Sequence, residues 1–483
     1  MAKTRAPVTK ELFLTAVACP TQAWYLANSD AAPPTVGERF RMEEGQEVHE
    51  FARTDCPEGQ FAGTPDNTAR LLASATATVL FEAAFEVDGF SARADILRKR
   101  KRGIVVTEVK SSLHDDEKVH DEHIDDLAYT VMVLRRAGQN VLKATLLQLS
   151  REYRRNGRSP MFAESDHTEA VFERADEFDQ QWQVVRDALA RNGRPRPRLM
   201  FTCRDCPYFE SECLGSEINH PVFDLPALRE KRFAELTEAG YLAIPEIPED
   251  FELTENQHRV RRAVVTGKPE VDKAGLRRCL KGVAWPAFYL DFETMKTALP
   301  VWSDIAPHEQ VLTQYSIHRC STPGRVDEHR EFLAEPTRDC RLELAESLLR
   351  DLKGKGSIVV YSSFEKTMLA SLATRFPKLA KPLNACIERL FDLERAFKQH
   401  FYHPAFRGRT SIKKTLPVLV PSMKYEGLAI ADGDSAMTLF ARMARGELAE
   451  KEAVKLRAAL LEYCGQDTLA MVKLHAALQR YCD

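Results

Sequence analysis

Three neighbouring stretches carry strand-like apolar patterning: VLFEAAFEVDG (79–89), FSARADILRKR (90–100) and GIVVTEVKSS (103–112). The polar KRKRG between the last two suits a hairpin tip. A second set begins after Trp285, where the strands FYLDFETM (288–295) and IVVYSS (358–363) alternate with helical patterns. Those helices fall at MLASLATRF (368–376), IERLFDLERAFKQHF (387–401) and from about Ala449 to Tyr481. Between the two sets, residues 216–285 are rich in Pro, Glu and short helical periods. The pattern predicts an α/β protein with domains over 1–215 and 286–483 and a helical connector over 216–285. The Pro/Arg-rich RNGRPRPR (191–198) breaks helical periodicity just before a group of cysteines.

The 483 residues are 44% hydrophobic and 29% charged, enough for more than one core and inconsistent with disorder as the main state. A formal net charge of −3 confines any nucleic-acid surface to local basic runs. One is Arg98, Lys99, Arg100, Lys101 and Arg102 at the hairpin tip, where phosphates would arrive; others are REYRRNGRSP from Arg151 and GRTSIKK at 408–414. Solvated surface charge is the alternative for each run. No apolar run is long enough to span a membrane, so no membrane partner is expected. MAKTRAPVTKELFLTAVACP lacks the continuous apolar stretch of a secretory signal, so the expected location is cytoplasmic and reducing. Clustered members of the eleven cysteines are then read as metal or redox ligands.

In the first half, Glu108 and Lys110 are two apart on one strand and share a face, which Asp95 can join from the neighbouring strand. Two carboxylates can hold a hard divalent cation through oxygen. A lysine beside them can orient water and stabilise phosphate charge, the apparatus of metal-dependent phosphodiester cleavage. A hairpin with a solvated charged face is the other reading of the same spacing. Cys203-x2-Cys206-x6-Cys213, with Cys19 far upstream, can ligate one tetrahedral zinc or an iron–sulfur cluster, and spacing does not separate the two.

The order of Cys19, Trp24-Tyr25, EEGQEVHEF with His49, the Asp95…Glu108-x-Lys110 core and the closing cysteines resembles RecB-like PD-(D/E)XK nucleases that carry a 4Fe–4S cluster. These include CRISPR-associated members and the AddB nuclease domain. Over about residues 8–215 the resemblance implies an α+β restriction-endonuclease-like fold. It implies a Mg²⁺ or Mn²⁺ ion on His49, Asp95 and Glu108, with the Val109 carbonyl beside them. Lys110 would be catalytic, and Cys19, Cys203, Cys206 and Cys213 would hold the cluster. The family's helical Gln, with Tyr four residues later, is absent from HIDDLAYTVMVL, which carries Tyr129-Thr130.

In the second half, Asp291 and Glu293 share one face of a strand, and Tyr463 and Asp467 share one face of the last helix. Glu365 follows the strand between them. Converging carboxylates repel unless cations lie among them, and two metals are a standard solution for cutting a phosphodiester with water. Each motif alone also fits a surface charge pair. Together, over about 286–480, they resemble RNase H-like DEDD 3′–5′ exonucleases with Tyr in the last motif, such as the proofreading domain of DNA polymerase I. The resemblance implies a mixed-sheet fold and metals on Asp291, Glu293, Glu365 and Asp467, with Tyr463 catalytic. Glu365 stands where that family has Asp, and Asp392 is a reserve ligand. The same half also resembles an uncharacterised bacterial domain often fused to RecB-like nucleases.

The expectation is a metal-dependent nuclease acting on single-stranded DNA or DNA ends in repair, recombination or defence. The alternatives are an RNA-processing 3′–5′ exonuclease whose N-terminal domain only binds nucleic acid, and a non-catalytic, metal-stabilised interaction protein.

Overall fold

The computed structural model describes residues 7–29, 33–115, 117–190, 193–425 and 427–482. The first six residues of the N-terminal stretch, and the opening two of RNGRPRPR, lie outside them. The chain divides into two compact units, Met1–Pro197 with Thr297–Glu309 and Arg198–Lys296 with Gln310–Asp483. Both combine helices with mixed sheets, as an α/β chain should.

The first unit opens with helices α1 (Lys10–Ala18), α2 (Pro20–Asn28) and α3 (Val36–Thr54). A Thr35–Glu38 capping box starts α3, and Phe40, Glu44, Val48 and Ala52 recur every four residues as its buried stripe. Strand β1 (Gln60–Phe61), helix α4 (Pro65–Ala73) and strands β2 (Val79–Val87), β3 (Phe90–Arg100) and β4 (Gly103–Leu113) follow. The three predicted strands are β2, β3 and β4, paired antiparallel. Helix α5 (Asp121–Arg136) crosses over to β5 (Val141–Leu149), which lies parallel to β4, and β6 (Phe162–Asp166) and α6 (Thr168–Ala190) complete a six-stranded sheet in sequence order. Its main core joins Phe13, Phe90, Leu97, Tyr129, Phe178 and Trp182.

The second unit contains α7 (Glu230–Glu238), α8 (Glu255–Thr266), β7 (Glu270–Val271), α9 (Lys273–Lys281), β8 (Ala287–Met295), β9 (Val311–Thr322), β10 (Arg325–Leu333) and α10 (Arg341–Asp351). It continues with β11 (Ile358–Val360), α11 (Phe364–Arg375), α12 (Ala380–Ile387), β12 (Leu390–Asp392), α13 (Glu394–His400), β13 (Phe401–Tyr402), α14 (Ile412–Leu419), α15 (Gly433–Ala444) and α16 (Glu450–Gln479). Its five-stranded sheet runs β10-β9-β8-β11-β12, with β8, β11 and β12 parallel.

Three expectations are corrected. The single helix read over 387–401 is interrupted by β12, because Leu390–Asp392 pairs with Ile358–Val360, and sheet pairing overrides helical periodicity. Residues 216–285 are no free-standing connector: Phe233, Leu236, Val260, Leu276 and Leu280 share a buried core with Phe397, Phe401, Leu474 and Leu478. The division also falls after Pro197, so the cysteine segment 203–213 belongs to the second unit. No helix among the described residues is long and apolar enough to cross a membrane.

Candidate metal centres

In the first unit, the register pairing Ile96 with Thr107 sets Glu108 opposite Asp95, as the motif required. Asp95 Oδ2 accepts the Val109 N–H at 2.8 Å, which fixes the carboxylate against β4. His49 on α3 brings Nδ1 to 3.9 Å from Asp95 Oδ1. Glu108 Oε1 takes Lys10 Nζ at 2.7 Å and Lys110 Nζ at 3.1 Å, and Lys110 also pairs with Asp126 on α5. Burial disfavours the Glu108 charge, but the two ammonium groups outweigh it and hold its pKa down to about 2. Burial and then the Glu108 charge push Asp95 up to about 7. For His49, burial opposes protonation, yet Glu82, Asp95 and Glu108 together raise its pKa. Helix α5 presents Asp126, rather than a Gln, to Lys110. Its Tyr129 instead donates to the carbonyls of Val8 and Ser91.

Glu82, Lys10 and Asp126 escape sequence reading. Glu82 interrupts the apolar start of β2, a signal that a charge set among apolar residues needs a partner; Lys10 and Asp126 left no signal.

The basic run divides in two. Arg98 donates to Thr107 Oγ1 at 2.8 Å, and Lys99 Nζ donates to the carbonyls of Leu72 at 2.6 Å and Ser74 at 2.5 Å, closing the end of α4. Arg100, Lys101 and Arg102 are exposed. The last of them lies seven residues beyond Asp95, roughly 20 Å along an extended chain, so the tip is not beside the carboxylates. Lys99→Met should cost about 1–2 kcal/mol, since two carbonyls lose a charged donor. Alanine at 100–102 together should leave stability unchanged while reducing the salt dependence of any nucleic-acid binding. Denaturant melts and binding titrations at several salt concentrations check both.

In the second unit, Asp291 and Glu293 lie on β8, opposite Ser316 and Gln314 of β9. Helix α16 is fixed over them by Gln314 Nε2 donating to the Leu460 carbonyl at 2.8 Å and by Thr468 Oγ1 bonding Ser316 and His318. That seating brings Asp467 in, and the carboxylate oxygens of Asp291, Glu293 and Asp467 come within 4.8 Å of one another. The Tyr425 hydroxyl donates to Asp467, and Cys464 Sγ lies 3.6 Å from Asp291 Oδ2. Lys413 Nζ sits 5.8 Å from the Tyr463 ring centroid and 5.9 Å from that of Tyr425.

Burial, Asp467, Glu293 and Glu365 together drive Asp291 well above the carboxylate range. Burial and Asp467 push Glu293 to about 8, against the opposing charge of Lys413. Asp467 is raised by burial despite its two tyrosine hydrogen bonds. The buried Glu365 is outside the group of three, although its charge reaches Asp291 and Glu293; burial and Asp392 raise it to about 7. Sequence reading missed Tyr425 and Cys464, and it gave Lys413 only a general phosphate-binding part. Three carboxylates on two elements, Asp467 buried and Asp291 and Glu293 half-buried, offer the oxygen donors that a hard cation takes, and the buried, unpartnered Glu108 Oε2 offers another in the first unit.

Among the described residues, two groups of three or more His, Cys, Asp or Glu donors lie within 4.8 Å: His49–Glu82–Asp95 and Asp291–Glu293–Asp467. Neither includes a cysteine. Cys19 caps α2 in the first unit, and Cys203, Cys206 and Cys213 lie on a turn-rich segment of the second. The cluster assignment for these four residues is what the family resemblance implies.

These features define an α/β protein with two largely half-buried clusters of acidic donors, one in each unit. Residues 288–411 match the family described as "Domain of unknown function (DUF2779)", a stretch holding Asp291, Glu293, Glu365 and Asp392 but ending before Tyr463 and Asp467. The chain is 26% identical over 213 residues to "Uncharacterized protein MG366" of Mycoplasma genitalium, covering 40% of this chain and 32% of that protein. It is 27% identical over 220 residues to the Mycoplasma pneumoniae homolog, with the same coverage. The match thus spans about a third of the length of these curated relatives. Among solved structures, "Crystal structure of SSO0001" aligns with a TM-score of 0.24 and 13% identity, over 43% of this chain and 86% of that one.

Proposed function

We propose that this protein is a divalent-metal-dependent nuclease that acts on DNA at single-stranded regions or ends, in repair, recombination or defence. The observation that carries the reading is the convergence of Asp291, Glu293 and Asp467 within 4.8 Å, with Asp467 and Glu293 both acting on the Asp291 charge. Bound there, Mg²⁺ or Mn²⁺ supplies Lewis-acid stabilisation of phosphoryl charge. Tyr425 donates to Asp467, and Tyr463, one helical turn before Asp467, would orient or help activate an attacking water. Lys413 adds the positive charge that draws in a phosphate. His49, Asp95 and Glu108, with Lys110, would form the second centre.

A second reading is favoured by one contact: Lys110 is engaged by both Glu108 and Asp126. It assigns cleavage to the second unit alone, acting 3′–5′ on RNA, with the first unit binding the strand. End-labelled single-stranded DNA and RNA, incubated with Mn²⁺ and wild type, Glu108→Ala, Asp291→Ala or the double variant, separate the two. Distinct product patterns lost in each single variant support two active centres on DNA. Cleavage confined to RNA and lost only in Asp291→Ala supports the second reading. No Mn²⁺-dependent cleavage of either strand sinks both and favours a metal-stabilised interaction protein.

A further inference from the structure

The first unit contains an acid that neither its motif nor the resemblance uses. Glu82 lies inside β2 with φ +51°, a left-handed conformation that side-chain-bearing residues rarely adopt. The register pairing Phe81 with Ile96 and Ala83 with Ala94 sets Glu82 opposite Asp95, which itself lies opposite Glu108. Three carboxylates therefore form one row across β2, β3 and β4, an arrangement that like charges oppose. We propose that Glu82 is a ligand of the same divalent cation as His49, Asp95 and Glu108, giving this centre one imidazole nitrogen and three carboxylates. The inference rests on the reading that the first unit holds a cation.

Two independent observations point to that ligand. One is proximity: the donor atoms of His49, Glu82 and Asp95 lie within 4.8 Å of one another. The other is an unmet need. Glu108 is 3% exposed, and its Oε2 has no hydrogen-bond partner, because both lysines bind Oε1. The β3–β4 register puts Glu108 beside Asp95, whose Oδ2 accepts the N–H of the adjoining Val109, so this group borders the same space.

Glu82 can contribute without losing its anchor. Arg53, four residues after His49 on α3, bonds Glu82 Oε1 at 2.6 Å, whereas the nearest cation to Oε2 is Arg93 at 4.0 Å. Backbone geometry also fits a directed carboxylate. Phe81 and Ile96 pack in one cluster, while Ala83 and Ala94 pack in another, although residues two apart on a strand ordinarily share a face. The turn at Glu82 interrupts that alternation at the point where the three acids meet. A mixed nitrogen–oxygen donor set of this kind takes Mn²⁺ or Fe²⁺ in preference to Mg²⁺.

The test uses the full chain with Fe²⁺ and ascorbate, which cut the backbone beside bound iron, with fragments mapped by mass spectrometry. Wild type should be cut around residues 82 and 95, and excess Mn²⁺ should suppress those cuts. Glu82→Gln should reduce the cuts at least tenfold while leaving any around residue 291 unchanged, which also reports that the second unit is folded. Glu82→Asp keeps the charge but withdraws the carboxylate, and it should require several-fold different Fe²⁺ for half-maximal cutting. Wild-type levels of cutting in both variants would overturn the role of Glu82 while leaving the metal centre intact. No cuts around 82 and 95 in wild type would overturn the centre itself.

Discussion

Asp291→Asn should remove the Mn²⁺-dependent products of the second unit's centre, leaving those of the first, and, in the metal-free protein, raise the melting temperature. The two effects share one cause. Asp291, Glu293 and Asp467 are held close by strand β8 and helix α16; burial raises the pKa of each, and the neighbouring carboxylates raise Asp291 and Glu293 further. A carboxyl whose folded pKa lies above its unfolded value keeps its proton longer in the folded state. For Glu293, with an ordinary value of 4.5 and a folded value of about 8, the folded protein binds more protons across that interval. The contribution of Glu293 to the stability of the metal-free protein therefore falls as pH rises from about 4.5 to about 8 and changes no further above it. With one pKa unit corresponding to roughly 1.4 kcal/mol, this carboxyl alone accounts for several kcal/mol of destabilisation at high pH. Asn at 291 removes one of the repelling charges and should flatten the pH profile. A cation reverses the sign of the problem. At a hundred times its dissociation constant, Mn²⁺ should stabilise wild type by about 2.7 kcal/mol and Asp291→Asn far less. Cleavage by the second unit's centre should fall by at least ~10²-fold in the variant, the order seen when one element of charge stabilisation is removed. Calorimetry at pH 5, 7 and 9, with and without Mn²⁺, reads the whole pattern. A variant that melts lower than wild type without metal, at every pH, would contradict the repulsion argument.

The parts of this architecture legible in the sequence are those encoded over short distances. Strands β2, β3 and β4 show as apolar patterning with a polar tip, and the parity of Glu108 and Lys110 follows directly from a two-residue period. Likewise, Asp291 and Glu293 declare themselves by interrupting an apolar strand, and Tyr463 with Asp467 by helical spacing. What stayed hidden depends on register and tertiary placement. Glu82 becomes part of a site only because β2 meets β3 with that residue opposite Asp95. Tyr425 reaches Asp467 from a segment with little regular structure, and Lys413 reaches the tyrosines from α14, neither at a characteristic spacing. Strand β12 was invisible for a related reason. Its three residues sit within a helical period, and pairing with β11 overrides that local preference.

The second large effect is expected at Lys110, in the first unit. Lys110→Met should lower the melting temperature by roughly 5–10 °C, because it strips a cation from two acids at once. Glu108 has a side chain only 4% exposed, and Asp126 loses its closest ammonium. Lys10 remains 2.7 Å from Glu108, so the cost should fall at the lower end of the range for breaking a buried pair, about 2–3 kcal/mol. The acid dependence carries the diagnostic sign. Glu108 has a folded pKa of about 2, below its ordinary value of 4.5, so its ionisation stabilises the folded state above about 4.5. That stabilisation is lost as pH falls from 4.5 toward 2, and Lys110→Met should reduce this acid sensitivity along with overall stability. Pairing the substitution with Glu108→Gln should restore much of the loss, since the buried charge that lacked a partner is then gone. The three variants and wild type form a double-mutant cycle whose coupling measures the Glu108–Lys110 interaction, apart from any part Lys110 plays in cleavage. Should the double variant prove as unstable as the sum of the singles, Lys110 would be stabilising through its stem and Asp126, with Glu108 held by Lys10 alone.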